Sequence, residues 1–211
     1  VTEYLADDEK GENLLCVKAQ DTLSAMYPYG KQRKARGGMW YTPVSGIWQS
    51  VWLEPVPDSY IERLDVTADT RKVRIAVVWG GKKQVSDTAE SLSVTIKLHD
   101  GVLHTVYAQE DTVEIDMSRI PLGDGTCYQP LLWTPEHPYL YQMTVELGED
   151  RVSSYFGLRT VAVERRGGIP RVCLNGEPLF LHGVLDQGYF CDGIYLPAEE
   201  AEYERDILRM K

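Results

Sequence analysis

Between residues 58 and 165 the chain alternates apolar and polar positions. In RKVRIAVVW, residues 71–79, Val73, Ile75, Val77 and Trp79 share one face. In SLSVTIKLHDG, residues 91–101, Leu92, Val94, Ile96 and Leu98 do the same, and Asp100-Gly101 supplies a turn. A period of two marks strands with one buried face. Further runs stand at YIERLDVTAD, DTVEIDM, PYLYQMTVEL and RVSSYFGLRTVAVE. About six or seven short strands in this span predict an immunoglobulin-like β-sandwich. The architecture alone is inferred, because no Cys-Trp-Cys pattern points to an antibody-type relative.

The flanks read differently. NLLCVKAQD and GIWQSVWLEPV are strand-like; in the second, Ile47, Gln49, Val51 and Leu53 share one face and Trp48, Ser50, Trp52 and Glu54 the other. Apolar residues on both faces are what a doubly buried strand requires. Trp40, Trp48 and Trp52 are therefore expected in a core, the alternative being an open platform for a sugar. Pro55 and Pro57 stop this strand and mark a linker. Near the end, RVCLNGEPLFLHGV carries a turn at Asn175-Gly176 between two strand-like runs. LPAEEAEYERDILRMK, residues 196–211, is the one expected helix. Pro197 suits its first turn, Glu199 and Glu200 its positive end, and Arg209 and Lys211 its negative end, with Tyr203 and Ile207 on one face.

Composition narrows the function. The 211 residues are 43% hydrophobic and 26% charged, with 32 acidic against 22 basic side chains and a net charge of -10. That balance argues against a nucleic-acid partner, which calls for clustered Lys and Arg. The basic run KQRKAR at 31–36 is short and reads as a solvated surface. No apolar run reaches the ~18 residues of a membrane-spanning helix, so no membrane partner is expected. Cys16, Cys127, Cys173 and Cys191 show no metal spacing and read as free thiols. They favour the cytoplasm, with secretion or a periplasmic location left open. His99 and His104 flank a turn, and His137 lies between Glu136 and Pro138. With no carboxylate or Cys at useful spacing, no metal or cofactor is expected. His182 reads as a packing residue on a strand.

WYTPVSGIWQSVWLEPV, LLWTPEHPYLYQMTVEL, SSYFGLRTVAV and LNGEPLFLHGVLDQGYFCDGIY resemble, in the same order, segments of family 2 glycoside hydrolases. That group includes β-galactosidases, β-glucuronidases and β-mannosidases. The resemblance implies three modules: a jelly roll of sugar-binding type, an immunoglobulin-like sandwich and a catalytic (β/α)8 barrel. The expected fold is mainly β: a sandwich flanked by partial jelly-roll strands and one C-terminal βα unit of the barrel. Residues 1–57 would be the closing jelly-roll strands, 58–165 the whole sandwich, and 166–211 the first strand and helix of the barrel. The chain is thus expected to be an internal piece of a retaining β-glycosidase, β-galactosidase-like in type.

Such enzymes set two carboxyl groups ~5–5.5 Å apart across one glycosidic bond. In the family these glutamates lie on later barrel strands, and a whole barrel takes ~250 residues. No catalytic residue is therefore assigned here; Glu177, Glu199, Glu200, Glu202 and Glu204 read as solvated charges, and the piece alone is expected to be inactive. HGVLDQGY, residues 182–189, falls where the relatives leave the first barrel strand at the catalytic face. Asp186 and Gln187 are the substrate-binding candidates, as acceptor and donor for ring hydroxyls; the alternative is that they only shape the loop. Well-known β-galactosidases carry a His-rich loop here and this chain has LDQGYF, a departure that counts against galactose specificity. Phe156-Gly157-Leu158-Arg159 is a family marker, read as a close approach at Gly157 with Arg159 free for an interdomain ion pair. A non-catalytic carbohydrate-binding module and a plain interaction scaffold are the competing readings. Apolar strand surface without cover allows a homo-oligomer.

Overall fold

The alternating runs between residues 58 and 165 all form strands, one of them two, in the computed structural model, which describes residues 13–24, 26–35, 37–47, 49–81 and 92–211. The chain divides into two compact units, residues 54–182 and residues 1–53 with 183–211. The first unit is the sandwich. Strands β1 (Ser59–Ala68), β2 (Lys72–Gly81) and β5 (Thr112–Asp116) make one antiparallel sheet in the order β1-β2-β5. Strands β3 (Leu92–Lys97), β4 (Leu103–Ala108), β6 (Tyr141–Leu147) and β7 (Asp150–Phe156) make the other, in the order β4-β3-β6-β7.

The core is the set that the alternation marks. Val73, Ile75 and Val77 from β2 and Val113 and Ile115 from β5 meet Leu92, Val94 and Ile96 from β3 and Met143, Val145 and Leu147 from β6. Trp79 is half-buried at the margin of this cluster, and its indole N–H donates to Asp111 Oδ1 at 2.7 Å. The turn at Asp100-Gly101 forms, with Gly101 at φ 87 and the Val102 N–H on Asp100 Oδ1 at 3.1 Å. Strand β4 follows it as an edge strand with no fully buried residue.

Inside the sandwich a polar chain is threaded through the core. Tyr141 opens β6 with its ring wholly buried. Its hydroxyl accepts from the Leu131 N–H at 2.7 Å, lies 3.3 Å from the Leu131 carbonyl, and meets the Tyr128 hydroxyl at 3.1 Å. Tyr128 reaches His99 Nδ1 at 2.7 Å. The Tyr141 ring stacks on Phe156 and is edge-on to Tyr139. A hydroxyl at the start of a strand tied to backbone upstream is the device by which sandwiches pin a corner. Burial first, and the Tyr128 contact second, push the Tyr141 phenol far above its usual range, so it stays a neutral donor.

The family marker splits one expected run into two strands. After Phe156 the chain turns at Gly157, where a side chain would press on Trp133 and Leu140. Leu158 is wholly buried, and its carbonyl accepts from the Trp133 N–H at 2.9 Å. Arg159 lies over the Trp133 ring, 4.4 Å from its centre, a cation–π contact where an interdomain ion pair was expected. Strands β8 (Val161–Arg166), β9 (Ile169–Leu174) and β10 (Glu177–Pro178) then form a small antiparallel sheet. Asn175, at φ 52, makes the β9–β10 turn expected from Asn175-Gly176. Its side chain donates to the Trp133 carbonyl at 3.1 Å and accepts from the Thr160 N–H at 3.0 Å.

The second unit corrects three expectations. Among the described residues of 13–57 no strand forms, and only isolated bridges occur, at Gln32–Tyr41 and Gly37–Trp40. Ile47, Val51 and Leu53 are exposed and Trp52 is 73% exposed, whereas a doubly buried strand was expected. An extended segment becomes a strand only when a neighbour takes its N–H and C=O groups, and this stretch meets none among the described residues. Trp48 lies outside them. The helix, α1, spans Ala201–Met210, so Pro197 and Glu199 precede it and Glu202 and Glu204 supply the acidic first turn. Glu200 at the cap makes no side-chain hydrogen bond there. In the sandwich unit, His182 is exposed and only tilts against Phe180 at 6.5 Å, so it is not the packed residue expected.

Three turn aspartates make the sandwich acid-sensitive. Asp69 Oδ1 accepts from the N–H groups of Lys72 and Arg71, each at 2.6 Å. Asp116 accepts from the Ser118 hydroxyl at 2.7 Å with Arg71 and Arg119 close by, and Asp124 from the Thr126 hydroxyl at 2.7 Å. These bonds hold all three carboxyls below the ordinary aspartate range. The folded state then binds protons more weakly than the unfolded chain. Its stabilisation is complete above the unfolded value of about 4 and is lost as pH falls through the lower folded values. The thermal midpoint of the chain is expected to fall steadily below pH ~4, and the slope to shrink in Asp69→Asn with Asp116→Asn. A midpoint that is flat down to pH ~2.5, or a slope unchanged by the two substitutions, counts against this assignment.

Candidate functional site

Asp186 and Gln187 lie on an exposed loop of the second unit. Asp186 Oδ1 accepts from the Gly188 N–H at 2.8 Å, a side-chain-closed turn that Gly188 permits with φ 60. That bond occupies one carboxylate oxygen and leaves the other available. Gln187 Oε1 accepts from the Tyr41 hydroxyl. Its amide NH2 is then the end left to donate.

Tyr41 is positioned by its backbone: its N–H donates to the Lys31 carbonyl at 2.9 Å and its C=O accepts from Arg33 at 3.3 Å. Its ring is near-parallel to Tyr189 at 6.2 Å, and Tyr195 stands edge-on to both, at 6.4 and 5.7 Å. The Tyr189 hydroxyl donates to Thr42 Oγ1 at 2.9 Å and the Tyr195 hydroxyl to the Thr42 carbonyl at 3.3 Å. Partial burial, reinforced by Tyr189 and Tyr41, raises the Tyr195 phenol, so it donates at neutral pH. Three rings, four hydroxyls and one side-chain amide thus join residues 41–42 to 187–195. None of the tyrosines was singled out from the sequence, where only the density of Tyr in DQGYFCDGIY hinted at them.

The loop between Tyr189 and Tyr195 is built tightly. Phe190 and Ile194 exchange two backbone hydrogen bonds, at 2.7 and 3.1 Å. Ile194 is held at φ 63, unusual for a β-branched residue. At Gly193 a side chain would overlap the Leu196 carbonyl, so only glycine fits. Phe190 packs edge-on against Tyr203 of α1 at 5.4 Å.

Beside the tyrosines lies an open groove of ≈ 790 Å³, bordered by Asp21, Gln32, Ser45 and Tyr195. Ser45 donates to Asp21 Oδ2 at 2.9 Å, and Gln32 Oε1 accepts from the Val44 N–H at 2.9 Å. Trp40 does not open onto a ligand with a bare face, since the Arg33 guanidinium lies 3.7 Å over its ring. The groove mixes these polar groups with Ala19, Val44 and Ile47, and its two hydroxyl hydrogens are already given to Asp21 and Thr42. The four described carboxyls that leave their ordinary range, Asp65, Asp69, Asp116 and Asp124, all move down and sit on the sandwich. A general acid needs the opposite shift. Among the described residues, no cluster of three or more His, Cys, Asp or Glu is placed to hold a metal ion.

Residues 59–159, the sandwich, match the family model described as glycosyl hydrolases family 2. A β-galactosidase of Thermoanaerobacter pseudethanolicus is 27% identical over 180 residues, 80% of this chain and 23% of that protein. The β-galactosidase large subunit of Leuconostoc lactis is 30% identical over 151 residues, 66% of this chain and 22% of its own length. The solved β-glucuronidase of Faecalibacterium prausnitzii superposes with a TM-score of 0.54 at 25% identity, over 72% of this chain and 22% of that one. The chain therefore spans less than a quarter of the length of these relatives. Sequence likeness, a shared sandwich and the match across its seven strands agree: this chain belongs to family 2 of the glycosyl hydrolases.

Proposed function

We propose that this chain serves a retaining β-glycosidase of the galactosidase type as its interdomain sandwich, contributing one loop to substrate binding. The family match over residues 59–159 carries this reading, and the β-galactosidases among the relatives favour a galactoside. Residues 1–57, whose described part forms no strand in this chain, would close a jelly roll once paired with strands from outside it, and residues 166–211 would open a barrel. The exposed apolar faces of Val51, Leu53 and Ile207 support that role, because they are surfaces of the kind such neighbours cover. Asp186 accepts from a ring hydroxyl and Gln187 donates to one, its amide oriented by Tyr41. The catalytic carboxyls come from outside this chain, which alone hydrolyses no glycoside. Thiols unpaired at Cys16, Cys127, Cys173 and Cys191 support a cytoplasmic setting.

The test compares the 211-residue chain with the complete gene product containing it, on aryl β-galactoside, glucuronide, mannoside and glucoside. Turnover of the galactoside is expected from the gene product and none from the chain above a mock preparation. In the gene product, Gln187→Ala is expected to cost about 10- to 100-fold in kcat/KM, as for loss of one or two hydrogen bonds to substrate. Turnover by the chain itself, or a gene product inert on all four sugars, overturns the reading.

A further inference from the structure

The outer face of the four-stranded sheet has a composition unlike that of its partner. Strands β4, β3, β6 and β7 pair without any register shift, so their outward residues fall into straight rows. The middle row is all hydroxyl: Thr105, Thr95, Thr144 and Ser153. Thr95 and Thr105 already bond at 2.9 Å. The rows on either side end in aromatic corners, Tyr107 on β4 and Tyr155 on β7, 76% and 60% exposed. Of the twelve outward positions three are charged, and two of those, Glu146 and Arg151, face each other at 3.6 Å. The other sheet instead faces outward with ion pairs, Arg63–Asp65 and Lys72–Glu114.

Strand spacing and rise place the two tyrosine positions about 20 Å apart on a diagonal, several pyranose rings long. At the Tyr155 end the diagonal runs into a groove of ≈ 350 Å³ along the seam of β1 and β7. Its walls include Trp133, Gly157 and Arg159. A long, nearly uncharged strip of hydroxyls with ring faces at both ends suits neither a polyanion nor an apolar protein surface. It matches a chain of neutral sugars, whose hydroxyls bond the row and whose C–H faces stack on tyrosine.

We propose that this face binds a neutral, extended glycan along the diagonal from Tyr107 to Tyr155, ending in the Trp133–Arg159 groove. The site lies wholly on the sandwich and takes no part in bond cleavage, so it stands or falls apart from the hydrolase reading. It would hold the protein on a polymer.

Affinity electrophoresis of the 211-residue chain tests it, in gels containing galactan, mannan, xylan or mixed-linkage glucan, with polygalacturonate as the acidic control. Retardation by at least one neutral glycan is expected, with affinity falling about tenfold or more in Tyr107→Ala with Tyr155→Ala. Both side chains are exposed, and an unchanged unfolding midpoint confirms that the variant is folded. Thr144→Lys, which puts a charge into the hydroxyl row, is expected to weaken binding as well. Retardation by no neutral glycan, retardation by polygalacturonate alone, or a double variant that binds like the parent overturns the proposal.

Discussion

Tyr141→Phe is expected to destabilise the sandwich by about 2 kcal/mol, and Tyr141→Ala by about 4 kcal/mol. The two substitutions separate two roles of one residue. Phenylalanine keeps the ring, its stacking on Phe156 and its edge contact with Tyr139. It removes the hydroxyl, which leaves the Leu131 N–H without its 2.7 Å acceptor and the Tyr128 hydroxyl without a neighbour at 3.1 Å. The part-buried Leu131 N–H loses its acceptor, which costs the bond and, so far as water does not replace it, the desolvation of the donor. Alanine removes the ring as well, and a wholly buried ring leaves a cavity its neighbours fill only in part. Urea unfolding of the 211-residue chain measures both. A phenylalanine variant as stable as the parent would falsify the structural role of the hydroxyl chain.

The second large effect is expected at the end of β2. Gly81→Ala should cost about 3 kcal/mol, from backbone strain together with steric overlap. Gly81 pairs with Ser59 and sits at φ 75, where side chains are disfavoured. Its missing side chain would also overlap the Asp58 carbonyl, a backbone group that cannot swing aside without moving the start of β1. Gly80 is the instructive neighbour. A side chain there would meet the ring of Tyr60, its cross-strand partner, which can rotate away. Gly80→Ala is therefore expected to cost less than Gly81→Ala, and the reverse order in matched unfolding experiments contradicts the geometry.

The sandwich was legible because both its sheets have one dry face. Val73, Ile75 and Val77 contrast with Lys72 and Arg74 between and before them, and that contrast survives folding. Strand β4 escaped notice for the same reason in reverse. Its inward residues, His104, Val106 and Ala108, are only half-buried and its outward ones include Leu103 and Tyr107, so its pattern has little amplitude. The flank at 47–53 shows a different limit. Apolar residues on both faces state that a segment needs cover, but not which segment supplies it. At the candidate site, Asp186 and Gln187 came from resemblance to a family. Their setting did not: Tyr41 meets Gln187 across 146 residues, and Tyr195 reaches Thr42 across 153. No local period encodes such meetings, which arise only when the chain is folded.

The backbone N–H of Ile61, on the outer edge of β1, is taken by Asp150 Oδ2 at 2.7 Å, from a residue 89 positions later. On the ribosome, the first strand therefore emerges well ahead of the group that caps its edge. At roughly 5–20 residues per second the wait lasts several seconds. During that time β1 and β2 form a hairpin with raw borders, one until β5 pairs with β2 and the other until Asp150 arrives, and an oily underside, the form in which nascent chains most readily find each other. Crowded polysomes are thus where this module is most exposed to mispairing. Asp150, half-buried at the start of β7, is the residue whose arrival closes that border at Ile61.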